Sequence, residues 1–195
     1  GTVDCDPGPG TANLTYVTQA FLAAASDIFI SKLDASGNFV WAKQIGSALS
    51  DEAAAITVDA IGNVYSSGHF YGGNDAISVD FDPGSGTAYI PSGGLSTSFI
   101  LKLNSSGDYV WAKSVANSSG NAIALDAGGN VYTTGRYALT QDFDPGAGVA
   151  YLSSQGGSWD IFISKYDASG NYIWAKGMGG TYEDQGYALA LDASG

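Results

Sequence analysis

The residues best suited to chemistry are pairs of aspartates that recur in one short motif. The stretches VDCDPGPG (3–10), VDFDPGSG (79–86) and QDFDPGAG (141–148) each place two carboxylates one residue apart, directly before Pro-Gly. Because side chains at positions i and i+2 of an extended segment point the same way, the members of each pair share a side. The pairs are Asp4 with Asp6, Asp80 with Asp82, and Asp142 with Asp144. Carboxylates so placed repel one another unless a cation, a basic side chain or backbone N–H groups meet them.

Three interpretations of these pairs are open. In the first, each motif is a structural turn in which one aspartate caps the Pro-Gly turn and the other pairs with a lysine of the repeat. In the second, all six aspartates are calcium ligands, although the full calcium-loop pattern with its distal glutamate is missing. Ligands from elsewhere would then be needed, for which the sequence offers Asp51, Glu52, Glu183 and Asp184. In the third, a pair performs acid–base chemistry or glycoside cleavage.

The placement of the basic residues favours the structural turn. Six of the seven basic residues occupy two repeat positions, and only Arg136 stands outside them. The two sets are Lys32, Lys102 and Lys165, and Lys43, Lys113 and Lys176. Residues locked to a repeat are typical of structural partners, whereas a catalytic pair normally occurs once in a chain. We therefore predict no catalytic residues and no certain cofactor. Calcium binding by the motif aspartates remains the alternative to the structural turn.

The other reactive residue types give no catalytic arrangement. His69 is the single histidine, and its repeat equivalent is Arg136, so we expect an exposed, variable position with no metal or triad role. Cys5 is the single cysteine and cannot form an internal disulfide. It occupies the position of Phe81 and Phe143 in the sister motifs, which predicts a small buried hydrophobic residue.

Composition excludes several classes of partner. The net charge is −12, which argues against binding to nucleic acid or to anionic membranes. The chain has no apolar run near the roughly 20 residues that a membrane-spanning helix needs, so we expect no membrane insertion. Apolar residues at 45% and aromatic residues at 12% are typical of a folded chain and not of an acidic disordered tail.

Two longer blocks repeat along the chain and must position the aspartates. DIFISKLDASGNFVWAK (27–43) matches 98–113 and 160–176, and AAAITVDAIGNVYSSG (53–68) matches 121–135 and the start of a copy at 187–195. Each block predicts two short strands around a turn, because runs rich in β-branched and aromatic residues flank Asp/Asn- and Gly-containing segments. The repeated tryptophans, Trp41, Trp111 and Trp174, lie on the outermost strand. We expect them to pack one blade on the next, the alternative being a sugar platform.

Four antiparallel strands in each repeat predict an all-β protein with the architecture of a β-propeller. We expect one propeller segment with approximate blades at 1–45 (partial), 52–115, 120–178 and 185–195 (the start of a further blade). About three blades are fewer than the four to eight of a closed ring. The ring is therefore expected to be completed by the remainder of a longer chain or by self-association.

The motifs IALDxxGNVYxTG and DIFISKxDxxGNxxWAK resemble the bacterial seven-bladed β-propeller (SBBP-type) repeat family. The DFDPG motif resembles the variant of that repeat in secreted Bacteroidetes-like proteins. The resemblance implies a secreted or cell-surface, extracellular protein, often exported by type IX secretion, and no single activity. We expect a non-catalytic interaction, adhesion or display scaffold that binds a protein or glycan through loops 71–79, 91–97 and 153–158, where the repeats differ. The alternative is a carbohydrate-binding or carbohydrate-active propeller that uses the Asp-rich face.

Overall fold

The computed structural model describes residues 1–15, 25–72 and 78–192. These residues form sixteen strands and no helix, and so none contributes a helix able to cross a membrane. The strands are β1 (Thr2–Asp4), β2 (Asn13–Thr15), β3 (Ile28–Leu33), β4 (Phe39–Ile45), β5 (Asp51–Val58), β6 (Val64–Tyr71), β7 (Ser78–Asp80), β8 (Tyr89–Pro91), β9 (Ser96–Leu103), β10 (Tyr109–Ala116), β11 (Ser118–Leu125), β12 (Val131–Ala138), β13 (Thr140–Asp142), β14 (Tyr151–Ser153), β15 (Trp159–Tyr166) and β16 (Tyr172–Met178).

The strands assemble into repeated antiparallel sheets. Two sheets have four strands, in the orders β5-β6-β9-β10 and β11-β12-β15-β16, and we call them blade 2 and blade 3. The hairpin β3–β4 forms blade 1 and corresponds to the outer half of the other two. The short hairpins β1–β2, β7–β8 and β13–β14 contain the Asp-x-Asp motifs. The predicted all-β fold with four antiparallel strands in a repeat is confirmed.

The turns of the blades form for the local reasons that the sequence predicts. In the turn of blade 1, Asp34 Oδ1 accepts hydrogen bonds from the backbone N–H groups of Ser36 and Asn38 at 2.8 and 2.9 Å. Gly37 takes a φ of +81°, which favours glycine. Four further turns repeat this design with an Asp or Asn at the first position and a glycine at positive φ: 59–63, 104–108, 126–130 and 167–171.

Apolar side chains from neighbouring blades form shared cores. Ile30 of blade 1 belongs to the same buried cluster as Phe99 of blade 2. Ile100 of blade 2 lies in a second cluster with Ile123 and Tyr166 of blade 3. Because each core is made by two blades, a blade of this kind is stabilised mainly by its neighbours.

The first strands of blades 2 and 3, β5 and β11, differ in how much of their surface the preceding blade covers. Ile123 of β11 faces blade 2 and is 9% exposed, whereas its repeat equivalent in β5, Ile56, is 57% exposed. Among the described residues, blade 1 presents the two-stranded hairpin β3–β4 to blade 2, whereas blade 2 presents four strands to blade 3. The copy of the second block that begins at residue 187 was expected to supply the first strand of a further blade, but the described residues 187–192 form no strand.

Candidate functional site

Each Asp-x-Asp motif lies at the start of a loop that its own carboxylates hold together. In blade 2, Asp80 Oδ1 accepts hydrogen bonds from the backbone N–H groups of Asp82 and Ala88, at 3.0 and 2.8 Å. Asp82 Oδ1 accepts one from Gly84 N–H at 2.8 Å. The first carboxylate thus closes the loop across its width, and the second caps the Pro-Gly turn.

The same hydrogen bonds recur in the other two motifs. Asp142 Oδ1 accepts from the backbone N–H groups of Asp144 and Ala150 at 3.0 and 2.8 Å. Asp4 does the same with Asp6 and Ala12, and the bond from Ala12 N–H is the main reason why the pKa of Asp4 is lowered. Backbone N–H groups therefore meet both carboxylates of each pair, whereas the first interpretation expected this only for the aspartate that caps the turn.

The residue between the two aspartates anchors the loop in a blade core. Phe81 and Phe143 are both fully buried. The Phe143 ring packs on Phe162 with centroids 5.1 Å apart, and its carbonyl accepts a hydrogen bond from the Tyr166 hydroxyl at 3.1 Å. Cys5 is only half-buried, so the smaller side chain fills its position less completely than we expected.

The lysine part of the turn interpretation is wrong. No lysine in the described ranges contacts a motif aspartate. Lys165 pairs with Asp126 in a turn of its own blade, 3.5 Å apart, and Lys32 and Lys102 reach across to the next blade. Lys32 Nζ and Trp41 Nε1 of blade 1 both donate to the carbonyl oxygen of Ser105 in the outer turn of blade 2, at 2.9 and 3.2 Å. We call such a lysine and tryptophan, with both donors on one carbonyl, a Lys–Trp clamp.

A second Lys–Trp clamp joins blade 2 to blade 3. Lys102 Nζ and Trp111 Nε1 donate to the carbonyl oxygen of Ala168, at 3.1 and 3.3 Å. Lys102 also lies over the Tyr65 ring, 4.9 Å from its centroid. The expectation that the repeated tryptophans pack one blade on the next is thus confirmed for the first two of them.

The acids proposed to complete a calcium shell have other contacts. Asp51 Oδ2 accepts from Ser47 N–H at 2.6 Å, Glu183 pairs with Arg136, and Asp184 Oδ2 accepts from Gly180 N–H at 2.9 Å. Within the part of the chain that the structure describes, no three His, Cys, Asp or Glu side chains converge as a metal site. Calcium at the six motif aspartates stays a prediction.

His69 occupies a less exposed site than predicted. Its side chain is 15% exposed, and Nε2 lies 3.3 Å from the Tyr71 hydroxyl and 3.9 Å from Glu52 Oε2. Burial lowers the pKa of His69, and the nearby Glu52 carboxylate partly offsets this effect. Its repeat equivalent, Arg136, pairs with Glu183 and lies over the Trp159 ring. These side chains form a polar patch on equivalent strands of blades 2 and 3.

Sequence reasoning did not predict that two carboxylates are buried. Asp51 is 1% exposed and Asp160 is 2% exposed. Burial raises the pKa of Asp51 to about 7, the hydrogen bonds from Ser47 oppose this, and the nearby Asp27 carboxylate adds to it. The repeat equivalent of Asp51 in β11 is Ser118, whose hydroxyl donates to Val115 O at 2.7 Å. Only comparison of the repeats position by position could have marked this site.

The predicted binding loops lie at the edge of the blades where β6 and β12 end. Loop 71–79 falls partly outside the described residues. In loop 91–97, Leu95 is 70% exposed, and Leu139, which leads into β13, is 58% exposed. Loop 153–158 is held by hydrogen bonds between Ser154 and Leu139, at 2.8 and 2.9 Å. Exposed apolar side chains on an ordered loop framework are suited to contact with another molecule.

Comparison with known proteins supports a propeller-type repeat. No family model matches the chain. It is 30% identical over 200 residues, 95% of its length, to the uncharacterized WD repeat-containing protein L264 of Acanthamoeba polyphaga mimivirus. It is also 30% identical over 108 residues, 54% of its length, to the regulatory protein FlaEY of Caulobacter vibrioides. The chain spans only 14% and 11% of these relatives. The likeness to a WD repeat protein and the antiparallel sheets together indicate a β-propeller-type repeat.

Proposed function

We propose that the chain is a segment of a β-propeller that serves as a non-catalytic interaction, adhesion or display module. The proposal rests on one observation: the repeated aspartates stabilise the frame, and other, exposed side chains lie in the variable segments. The repeated aspartates, such as Asp80 and Asp142, bond to their own backbone. The exposed apolar side chains, such as Leu95 and Leu139, lie in the segments where the repeats differ. A shared frame with variable loops is suited to binding a protein or glycan partner.

We further propose a bacterial protein of the secreted or cell-surface kind, placed outside the cell. This part rests on the sequence resemblance to SBBP-type repeats and to their DFDPG variant, as does export by type IX secretion. The low fraction of charged residues, 13%, with a net charge of −12, is compatible with an acidic extracellular surface.

A glycan ligand is the second candidate, and two tyrosines favour it. Tyr89 and Tyr151 are 64% and 66% exposed, and each lies opposite the first aspartate of a motif in the hairpin register. An exposed aromatic ring beside a carboxylate offers an apolar face and a hydrogen-bond acceptor to a sugar. The hairpin β1–β2 has Asn13 at this position, so the two tyrosines are not a fixed part of the repeat.

Binding to a panel of immobilised extracellular proteins and glycans tests the proposal. We expect binding that is lost in Leu95→Asp and Leu139→Asp and retained in Val110→Asp, a matched control on the outer strand at 45% exposure. Loss of glycan binding in Tyr89→Ala and Tyr151→Ala would favour the glycan candidate. Equal loss in the control, or no ligand from either class, would contradict the proposal.

A further inference from the structure

Three positions that meet where one blade passes into the next change together along the chain. The first lies beside the start of the third strand of a blade, the second beside the end of its outermost strand, and the third opens the first segment of the next blade. The sets are Asp27, Gly46 and Asp51; Thr97, Ala116 and Ser118; and Asp160, Gly179 and Asp184. Two sets thus consist of acid, glycine and acid, and we call them the acidic junctions. The set between them has hydroxyl, alanine and hydroxyl, and we call it the hydroxyl junction.

The glycine of each acidic junction makes room for the first carboxylate. A Cβ atom at Gly46 would lie 2.5 Å from Asp27 Oδ1, and a Cβ atom at Gly179 would lie 2.5 Å from Asp160 Oδ1. In the hydroxyl junction, by contrast, an alanine at this position lies opposite a threonine in the strand register. The positions are therefore coupled by packing, which explains why glycine accompanies the two acids.

The residue after the glycine binds the second carboxylate. Ser47 N–H donates to Asp51 Oδ2 at 2.6 Å, and Gly180 N–H donates to Asp184 Oδ2 at 2.9 Å. Adjacent residues of one segment thus contact the two carboxylates of a junction, which brings the carboxylates close together. In the first junction, the charge of Asp27 acts on Asp51 and raises its pKa.

One carboxylate oxygen in each acidic junction is buried and lacks a hydrogen-bond donor among the described residues. These oxygens are Asp51 Oδ1 and Asp160 Oδ1, and the two residues are 1% and 2% exposed. A buried carboxylate oxygen without a donor is costly, and two ionised carboxylates side by side repel one another. Each acidic junction therefore requires a positive charge or a proton.

The charged groups on the surrounding elements do not supply this charge. They are Asp27, Lys43, Glu52, His69 and Asp80 around Asp51, and Arg136, Tyr137, Lys176, Glu183 and Asp184 around Asp160. Lys43 pairs with Asp108 at 3.8 Å, His69 lies 3.9 Å from a Glu52 oxygen, and Arg136 pairs with Glu183. Among the described residues, no ion pair joins a basic side chain to either buried aspartate.

We propose that the two aspartates of each acidic junction share one proton in the folded protein at weakly acidic pH. The protonated carboxyl then donates an O–H···O hydrogen bond to the other carboxylate and ties one blade to the next. The hydroxyl junction needs no proton from solution, because Ser118 Oγ donates to Ser98 Oγ at 2.6 Å. The acidic junctions are therefore pH-sensitive contacts between blades, and the hydroxyl junction is not. This inference does not depend on the ligand of the loops.

The direction of the pH effect follows from Asp51. Burial raises its pKa to about 7, whereas an aspartate of the unfolded chain has a pKa near about 3.9. Between these values the folded chain holds a proton that the unfolded chain has lost, so the contribution to stability is present at low pH and is lost as the pH rises through about 7. From about pH 6 to about pH 8, this junction should raise the unfolding equilibrium constant about tenfold.

Exchanging the junctions within the chain tests the pH effect. The triple variant Asp27→Thr, Gly46→Ala and Asp51→Ser converts the first acidic junction into the hydroxyl type. Between about pH 6 and about pH 8, the unfolding equilibrium constant of the wild type should rise about tenfold more than that of this variant. Other titrating groups, such as His69, are present in both proteins and cancel. The reverse variant, Thr97→Asp, Ala116→Gly and Ser118→Asp, should show a larger rise than the wild type. An equal pH dependence in the wild type and the first variant would overturn the proposal.

Infrared spectroscopy of the folded protein detects the shared proton itself. At about pH 6 the exposed carboxyl groups, with pKa values near about 4, are ionised, so a carbonyl band of protonated carboxyl should come from the acidic junctions. We expect this band in the wild type and about half of its intensity in the first triple variant. Adding Asp160→Thr, Gly179→Ala and Asp184→Ser should remove the rest. A wild-type chain without the band at this pH, or a band that both sets of substitutions leave unchanged, would overturn the proposal even if a variant failed to fold.

Discussion

Replacing Asp142 tests whether a motif aspartate acts as a structural acceptor for the backbone. Asp142→Ala removes the oxygen that accepts from the N–H groups of Asp144 and Ala150, at 3.0 and 2.8 Å. Asp142→Asn keeps an acceptor oxygen at the same place and removes only the charge. The two variants therefore separate the hydrogen bonds from the negative charge.

The expected loss follows from the two hydrogen bonds. A bond to a charged acceptor contributes about 1.5 to 3 kcal/mol when it is shielded from water. Asp142 is half-buried, so we take the lower part of that range and expect Asp142→Ala to lower the free energy of unfolding by about 2–3 kcal/mol. For a chain of this length the melting temperature should fall by about 5–10 °C. Asp142→Asn should cost about 1 kcal/mol, since neutral bonds are roughly half as strong.

Urea unfolding followed by tryptophan fluorescence, with a thermal scan as a second readout, measures these differences. Asp144→Ala is a graded control, because Asp144 accepts a single bond from Gly146 N–H at 2.8 Å. The free energy of unfolding of Asp144→Ala should lie between those of the wild type and Asp142→Ala. If Asp142→Ala has the same free energy of unfolding as the wild type, the structural role is refuted. If Asp142→Asn is as unstable as Asp142→Ala, the charge of Asp142 matters more than its hydrogen bonds.

Three further predictions concern the clamp, the buried acid and the blade core. Trp111→Phe should lower the free energy of unfolding by about 1 kcal/mol and Trp174→Phe should leave it unchanged, because among the described residues only the indole N–H of Trp111 has a hydrogen-bond acceptor; urea titration measures both. The raised pKa of Asp51 means that its contribution to stability falls as pH rises from about 4 to about 7. In Asp51→Asn, the free energy of unfolding, taken from unfolding curves at several pH values, should fall less steeply over this pH range. A pH dependence equal to that of the wild type would contradict the prediction. Phe143→Ala should cost about 3–5 kcal/mol and Cys5→Ala less than about 1.5, since only the phenylalanine is fully buried; thermal unfolding distinguishes them.

The parts of the fold that depend on neighbouring residues along the chain were predictable. The turn 34–38 follows from an aspartate that bonds the backbone ahead of it and a glycine that accepts positive φ. The strands follow from β-branched and aromatic runs between such turns. The packing role of Trp41 and Trp111 also followed, because a large side chain at a fixed repeat position must meet the same surface in each blade.

The parts that depend on contacts between blades were not predictable. Lys32 and Lys102 were expected to pair with motif aspartates, yet both donate to carbonyl groups of the next blade. The sequence does not indicate which backbone carbonyl will accept such a bond, since every residue has one. His69 was expected to be exposed, and its burial depends on how the strand ends of blade 2 meet the neighbouring polar side chains. The strand predicted at 187–192 failed because a β-strand requires a partner that local sequence does not supply.

The central claim is that the repeated acidic motifs hold the scaffold together through their own backbone. The most direct test is the melting temperature of the wild-type chain after exhaustive EDTA treatment, then with calcium added back to about 5 mM, a concentration above the range of extracellular calcium sites. If backbone N–H groups satisfy Asp4, Asp80 and Asp142, the two melting temperatures should agree within about 1 °C, less than the shift expected from one lost hydrogen bond. A rise of several degrees with calcium, reversed by EDTA and absent in Asp80→Asn and Asp142→Asn, would contradict the claim and establish the motifs as calcium sites.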